Sequence, residues 1–240
     1  QIFGTPGSDL NLAAKTPSNV GENQQVVVAV IDSGIDLSHP DLEGRIWFNQ
    51  KKCGGLSEEE RTKEDCHGWN FLDGNSDLTD EVGHGTFVAG IIAANRDNGV
   101  GIAGVAPENV VIMPLKIMNR KVDGFLYKKR VVTNLIADAI AYAIKNGAQV
   151  INLSLGWPKI VHTKKVRFAI AEAIKRNIAV VVASGNNGKL LPVYPCSTEG
   201  VICVAASDNR GRVAPFSNYG GKVDMAAPGE AIISTYPRNL

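Results

Sequence analysis

The sequence predicts an α/β protein: a parallel β-sheet with helices on both faces. Two patterns point there. Short apolar, β-branched runs alternate with segments of helical periodicity, and two of those segments end in a basic turn followed by glycine or asparagine. A third observation concerns where function would sit. The polar residues Asp32, Ser154 and Asn186 stand where apolar runs stop, and in open parallel sheets ligands bind beyond the carboxyl ends of the strands.

The first run, "QVVVAVID" (Gln25–Asp32), is short and uniformly apolar, as a strand buried on both faces should be. "VVIMPLKI" (Val110–Ile117), "AQVINLSL" (Ala148–Leu155), "IAVVVASG" (Ile178–Gly185) and "GVICVAAS" (Gly200–Ser207) read the same way. Helices are expected over about His84–Ala94, Val131–Asn146 and Thr163–Asn177. Strand, helix and strand in repetition give a parallel sheet. No internal repeat or linker interrupts the pattern, so residues 1–240 are expected to form one domain.

Composition removes several classes of function. A net charge of +1 supplies no broad field for nucleic acid or a membrane surface. No apolar run approaches the ~18 residues of a membrane span. The start, "QIFGTPGSDLNLAAKTP", has neither a basic opening nor an apolar core, so a signal peptide is expected to be absent or already removed. Four cysteines allow three pairings. Nearest neighbours, Cys53–Cys66 and Cys196–Cys203, close short loops worth up to about 3 kcal/mol each, and that pairing implies an oxidising compartment. Four free thiols are the alternative. Zinc is disfavoured because no C-x-x-C spacing occurs.

Three blocks carry the chemistry. "VAVIDSGIDLSHPDL" holds Asp32 at a strand end, "GHGTFVAG" holds His84 at a helix start, and "VVVASGNNG" holds Asn186 after a strand. With "INLSLGWP" and "FSNYGGKVDMAAPGEAIIST", they resemble the subtilisin-like serine proteases, the subtilases, over nearly the whole chain from about Val26. The resemblance implies a secreted or extracytoplasmic serine endopeptidase acting on protein or peptide substrates through an acyl-enzyme. His84 would be the general base, with Gly83 and Gly85 leaving its ring uncrowded. Asp32 would hold and stabilise the imidazolium, and Asn186 would donate to the oxyanion. His39 is expected to bond locally; His67 and His162 read as surface residues.

The resemblance stops short of the nucleophile. Subtilases carry it in a G-T-S-M-A-type block, and no such string occurs here. Ser33, Ser154, Ser184, Ser217 and Ser234 all fall in other blocks. The serine is therefore expected beyond residue 240, on a C-terminal fragment of the same protein that would be a partner of this chain. A prodomain is a further expected partner, and the chain reads as mature material from a zymogen. A catalytically inactive peptide-binding protein on the same fold is the first alternative. An esterase is the second, disfavoured by the lack of a G-x-S-x-G elbow.

By resemblance, the substrate lies extended along Ser154, Leu155 and Gly156, which with Ala183, Ser184 and Gly185 wall the pocket for the residue before the cleaved bond. No carboxylate marks either wall, so a moderately large apolar residue is the expected preference. The opposite substrate edge offers only Gly124, and Lys128, Lys129 and Arg130 could favour acidic residues upstream. A structural calcium is implied at Asp41 with the Asn98 side chain and the carbonyls of Val100 and Ile102, hard oxygen ligands suited to that ion.

Overall fold

A computed structural model describes residues 25–120, 126–159 and 162–240. Among them, seven strands form one sheet of order β2-β3-β1-β4-β5-β6-β7, with every neighbouring pair parallel. The strands are β1 (Val26–Asp32), β2 (Trp69–Asn70), β3 (Val110–Lys116), β4 (Val150–Leu153), β5 (Ala179–Ala183), β6 (Ile202–Ser207) and β7 (Met225–Pro228). Helices α1 (Gln50–Cys53) and α2 (Glu58–Arg61) are single turns; α3 (His84–Ala93), α4 (Leu126–Lys145) and α5 (Lys164–Lys175) are the large ones.

Alternation along the strands assigns the faces. Val27, Ala29 and Ile31 of β1, with Val111, Met113 and Leu115 of β3, join Ile136, Ile140 and Ala143 of α4 and Val166 and Ile170 of α5 in the larger core. Val28 and Val30, with Val110 and Ile112, pack instead on Val88, Ala89 and Ala93 of α3. Asp32 has the parity of Val28 and Val30, and it ends its strand on the face that α3 covers.

The expected strands and helices all appear, with shifted ends. Helix α4 begins at Leu126 rather than Val131, because the run Lys128–Arg130 masks its apolar period. Two strands have no sequence signal. Strand β2 is only two residues long, and β7 is "MAAP", without a β-branched residue. Both disulfides form as nearest neighbours, with Cα–Cα separations of 5.7 Å for Cys53–Cys66 and 5.0 Å for Cys196–Cys203. His162 is not a simple surface residue. Its ring lies 4.4 Å from that of Tyr194 and stacks at 6.1 Å on Trp157, whose Nε1 donates to His162 Nδ1 at 3.2 Å. Burial, assisted by the Arg167 charge, pushes its pKa down to about 4. Tyr194 comes from a distant segment, and the chain's linear order does not show that it joins Trp157 at this ring.

Candidate active site

The site grows from the turn after β1 and the first turn of α3. Asp32 is fully buried, and its carboxylate accepts from Ser33 N at 2.7 Å. It faces His84, 52 residues on, with Nδ1 2.8 Å from Oδ1 and 2.9 Å from Oδ2. The imidazole is 47% exposed and turns Nε2 away from this contact. The hydrogen bond to the Asp32 carboxylate raises the His84 pKa above the ordinary histidine value, against the pull of burial; the Asp32 and Asp80 charges raise it further.

The bare setting of the histidine has a backbone cause. Gly83 has φ +94°, a left-handed conformation that side chains resist, and the Tyr236 ring lies against its α-carbon. A β-carbon on Gly85 would overlap the carbonyl oxygen of Gly34. Gly85 thus lets the helix start pack directly on the β1 turn, and Gly83 makes room for the Tyr236 ring.

Asp80 is the residue that sequence reasoning missed. It is 1% exposed and accepts five hydrogen bonds. Oδ1 takes Ser33 Oγ and Gly83 N at 2.8 Å and Val82 N at 3.1 Å; Oδ2 takes Thr86 N and Thr86 Oγ1, both at 2.8 Å. Ser33 Oγ in turn accepts from Gly85 N at 2.9 Å. One carboxylate therefore ties the β1 turn to the amides that open α3, where a negative charge is favourable. Burial alone would push the Asp80 carboxyl up. The Thr86 and Gly83 amides and the Thr86 and Ser33 hydroxyls outweigh it and hold the pKa below the usual value. The only signal in sequence was an acidic residue four positions before His84.

Asp80→Asn would set an amide NH₂ against the Thr86 donors and remove a charge that favours imidazolium. The expected result is a loss of about 1–3 kcal/mol in stability. With His84 as the general base that the resemblance implies, the acid limb of kcat/KM should move to lower pH as the His84 pKa falls, since a base must be neutral to act. Chemical denaturation and a pH–rate profile check both.

Asn186 follows β5, at the same end of the sheet as Asp32 because the strands are parallel. Strand β5 lies two places from β1, about 10 Å at usual strand spacing. Asn186 is exposed, and the loop carrying it is organised by buried Asn218. The Asn218 Oδ1 accepts from Asn187 N at 3.0 Å and Lys189 N at 3.1 Å, while its Nδ2 donates to Ser184 O at 3.1 Å. Ser154, Ala183, Ser184, Gly185 and Asn186 line one cleft of about 290 Å³. Leu155 and Gly156 line another of about 530 Å³, with Val82, Met118 and Trp157. Of the opposite substrate edge, Gly124 and the side chains of Lys128, Lys129 and Arg130 lie outside the described residues.

The five serines are engaged elsewhere. Ser33 Oγ donates to Asp80, Ser184 Oγ and Ser217 Oγ to Asn218 O, and Ser234 Oγ to Phe87 O; Ser154 Oγ accepts from Asn152. The segment with Ser234 runs along α3, where Thr235 Oγ1 donates to Thr86 O at 2.7 Å and Tyr236 OH to Val82 O at 3.2 Å.

The residues expected to hold calcium are brought together. Asp41 is fully buried, and accepts from Asn98 Nδ2 and Ile102 N, each at 2.9 Å; Asn98 Oδ1 accepts from Val100 N at 3.0 Å. Its donors are neutral, so the buried negative charge suits a hard cation. Among the described residues no cluster of three or more His, Cys, Asp or Glu side chains could hold a metal. His39, as expected, bonds locally, its Nδ1 accepting from Asp41 N at 3.2 Å.

A buried aspartate at the end of a parallel strand, paired with a half-exposed histidine opening a helix, invites comparison with known proteins. The family model described as the subtilase family matches residues 23–239. The chain belongs to the subtilase family. This subtilase is 42% identical over 212 residues to a thermophilic serine proteinase of Bacillus sp. (strain AK1), covering 88% of this chain and 46% of that protein. It is 34% identical over 219 residues to thermitase of Thermoactinomyces vulgaris, covering 91% of this chain and 68% of thermitase. With the major intracellular serine protease of Bacillus subtilis (strain 168) it shares 35% identity over 224 residues, 90% of this chain and 61% of that protein. Among solved structures, a cold-adapted subtilisin-like serine proteinase superposes with a TM-score of 0.69 at 25% identity, covering 89% of this subtilase and 66% of that chain. The chain thus spans about half the length of the first of these relatives.

Proposed function

We propose that this chain supplies most of the catalytic machinery of a serine endopeptidase, with Asp32 and His84 as two members of a triad. The nucleophilic serine lies beyond residue 240, in a C-terminal segment of the same protein. The observation that carries the reading is the Asp32–His84 contact of 2.8 Å with the imidazole half exposed. Asp32 fixes the proton on Nδ1, which leaves Nε2 as the acceptor. The serine oxygen attacks the peptide carbonyl carbon as its proton passes to His84 Nε2. The Asn186 amide donates to the oxyanion so formed. His84 then returns the proton to the leaving amine as the C–N bond breaks, giving an acyl-enzyme that water hydrolyses by the same steps.

The place for that segment is the α3 side of strands β4 to β7. Val150, Val181, Ala183, Val204 and Ala206 on this face are only half buried, and Met225 is 56% exposed. An apolar helix packed there would gain about 25 cal/mol for each Å² it buries. Labelling the protein that carries the residues after Leu240 with a fluorophosphonate tests the reading. A tagged serine beyond residue 240, lost on His84→Ala, supports it. A folded protein that takes no label is instead a peptide-binding member of the family.

Secretion accords with the two disulfides, which persist in oxidising compartments, although one relative is named as intracellular. No helix among the described residues is long and apolar enough to cross a membrane. A prodomain of the same protein is a further proposed partner.

Asp41, the Asn98 side-chain oxygen and the carbonyls of Val100 and Ile102 would hold calcium, which would there pin the loop after α3. At calcium a hundredfold above Kd it adds about 2.7 kcal/mol. Chelation should then lower Tm by roughly 5–10 °C, and Asp41→Asn should abolish the calcium-dependent part. Thermal melts with and without chelator measure it.

A further inference from the structure

Helix α5 turns a basic face to solvent. Its buried residues, Val166, Ile170 and Ala173, point into the larger core. At 3.6 residues per turn, the pole opposite them carries Lys164, Phe168, Ala171 and Lys175, all exposed. Phe168 is 72% exposed, more than any other aromatic side chain among the described residues. Arg167 flanks this stripe on one side. On the other, Lys165 and Arg176 are held by Asp138 of α4 and by Glu172, at 2.6 Å each. Lys164, Arg167 and Lys175 form no ion pair among the described residues. Helix stability does not account for these cations. Lys164, Lys165 and Arg167 stand in the first turn, which has no acidic residue, although the free amides there favour negative charge. The charge is also local. From Leu126 to Asn177 the chain has ten lysines and arginines and two acids, a surplus of eight, in a protein of net charge +1. The balance over the whole chain, which spoke against a membrane surface, conceals this asymmetry.

We propose that the outer face of α5 docks this protein on an anionic phospholipid bilayer, with Phe168 entering the interface and Lys164, Arg167 and Lys175 reaching the headgroups. Charge complementarity selects an anionic partner. The shape selects a bilayer: the stripe is the convex back of a helix, which suits a fluid surface that yields around it. Lysine stems can lie along apolar material while their ammonium groups stay with phosphate. Each lysine or arginine near such a surface strengthens binding about fivefold. A single apolar group holds only weakly, and cations beside an apolar insert supply the two signals that stable anchoring takes. Docking there leaves the candidate active site open, because α5 covers the sheet face opposite α3 and the site stands at the strand ends. It does not depend on peptidase activity.

Vesicle sedimentation tests it, with the protein that includes the residues after Leu240. Vesicles of equimolar phosphatidylglycerol and phosphatidylcholine should bind the protein and pure phosphatidylcholine should not. Salt at about 0.5 M should release it, since exposed charges are then screened. Joint replacement Lys164→Gln and Lys175→Gln should lower the partition coefficient by about tenfold or more, and Phe168→Ala by about fivefold. All three side chains are exposed, so circular dichroism should stay that of the unaltered protein. In Phe168→Trp, the added emission should shift to the blue with anionic vesicles alone. No binding to the anionic vesicles overturns the proposal, as does binding that neither replacement weakens or an added emission that does not shift. Weakening by the lysine replacements alone, or equal retention on polyglutamate beads, assigns the face to an acidic polymer or protein and overturns the bilayer.

Discussion

Asp32→Asn should lower kcat by about 10⁴-fold, the scale of this replacement in a Ser-His-Asp triad, while circular dichroism stays that of the unaltered protein. The substituted side chain keeps the size of the original, and its amide oxygen can still accept from Ser33 N, as the carboxylate does at 2.7 Å. What changes is the imidazole. An NH₂ group turned towards Nδ1 forces that nitrogen to accept and puts the proton on Nε2, where it blocks uptake of the serine proton. The loss should therefore fall on kcat, with KM little altered. Steady-state kinetics on a peptide anilide measures it, and a loss smaller than tenfold would remove Asp32 from the reaction.

Asn186→Ala is expected to cost about 10²–10³ in kcat, the range seen when such an oxyanion donor is removed from subtilisin, a member of the same family. The fold should be unaffected, since Asn186 is exposed and its loop is held through Asn218 rather than through its own side chain. An unchanged kcat with a raised KM would mean that Asn186 grips the substrate in its ground state instead.

The sequence revealed the order of β1, α3, β3, α4, β4, α5, β5 and β6 because each is long enough for its period to show. It could not reveal β2, two residues long, or β7, whose alanines and proline carry no strand preference. Asp32, His84 and Asn186 were legible as polar residues at strand ends and a helix start. Asp80 was not. Its role depends on five donors converging from the β1 turn and from α3, and spacing along the chain does not encode convergence. His162 likewise needed Trp157 and Tyr194 beside it.

The alternation of β1 between two packed faces sets how this protein can vary over time. Its valines and isoleucines can exchange among themselves, but the count of residues from Val26 to Asp32 cannot change by one. A single inserted or deleted codon in that strand would swing the terminal carboxylate towards α4 and α5, away from the imidazole. Length, more than composition, is what selection must guard here. The stretch closed by Cys53 and Cys66, tethered at both ends by its own cross-link, is where extra residues could accumulate without that penalty.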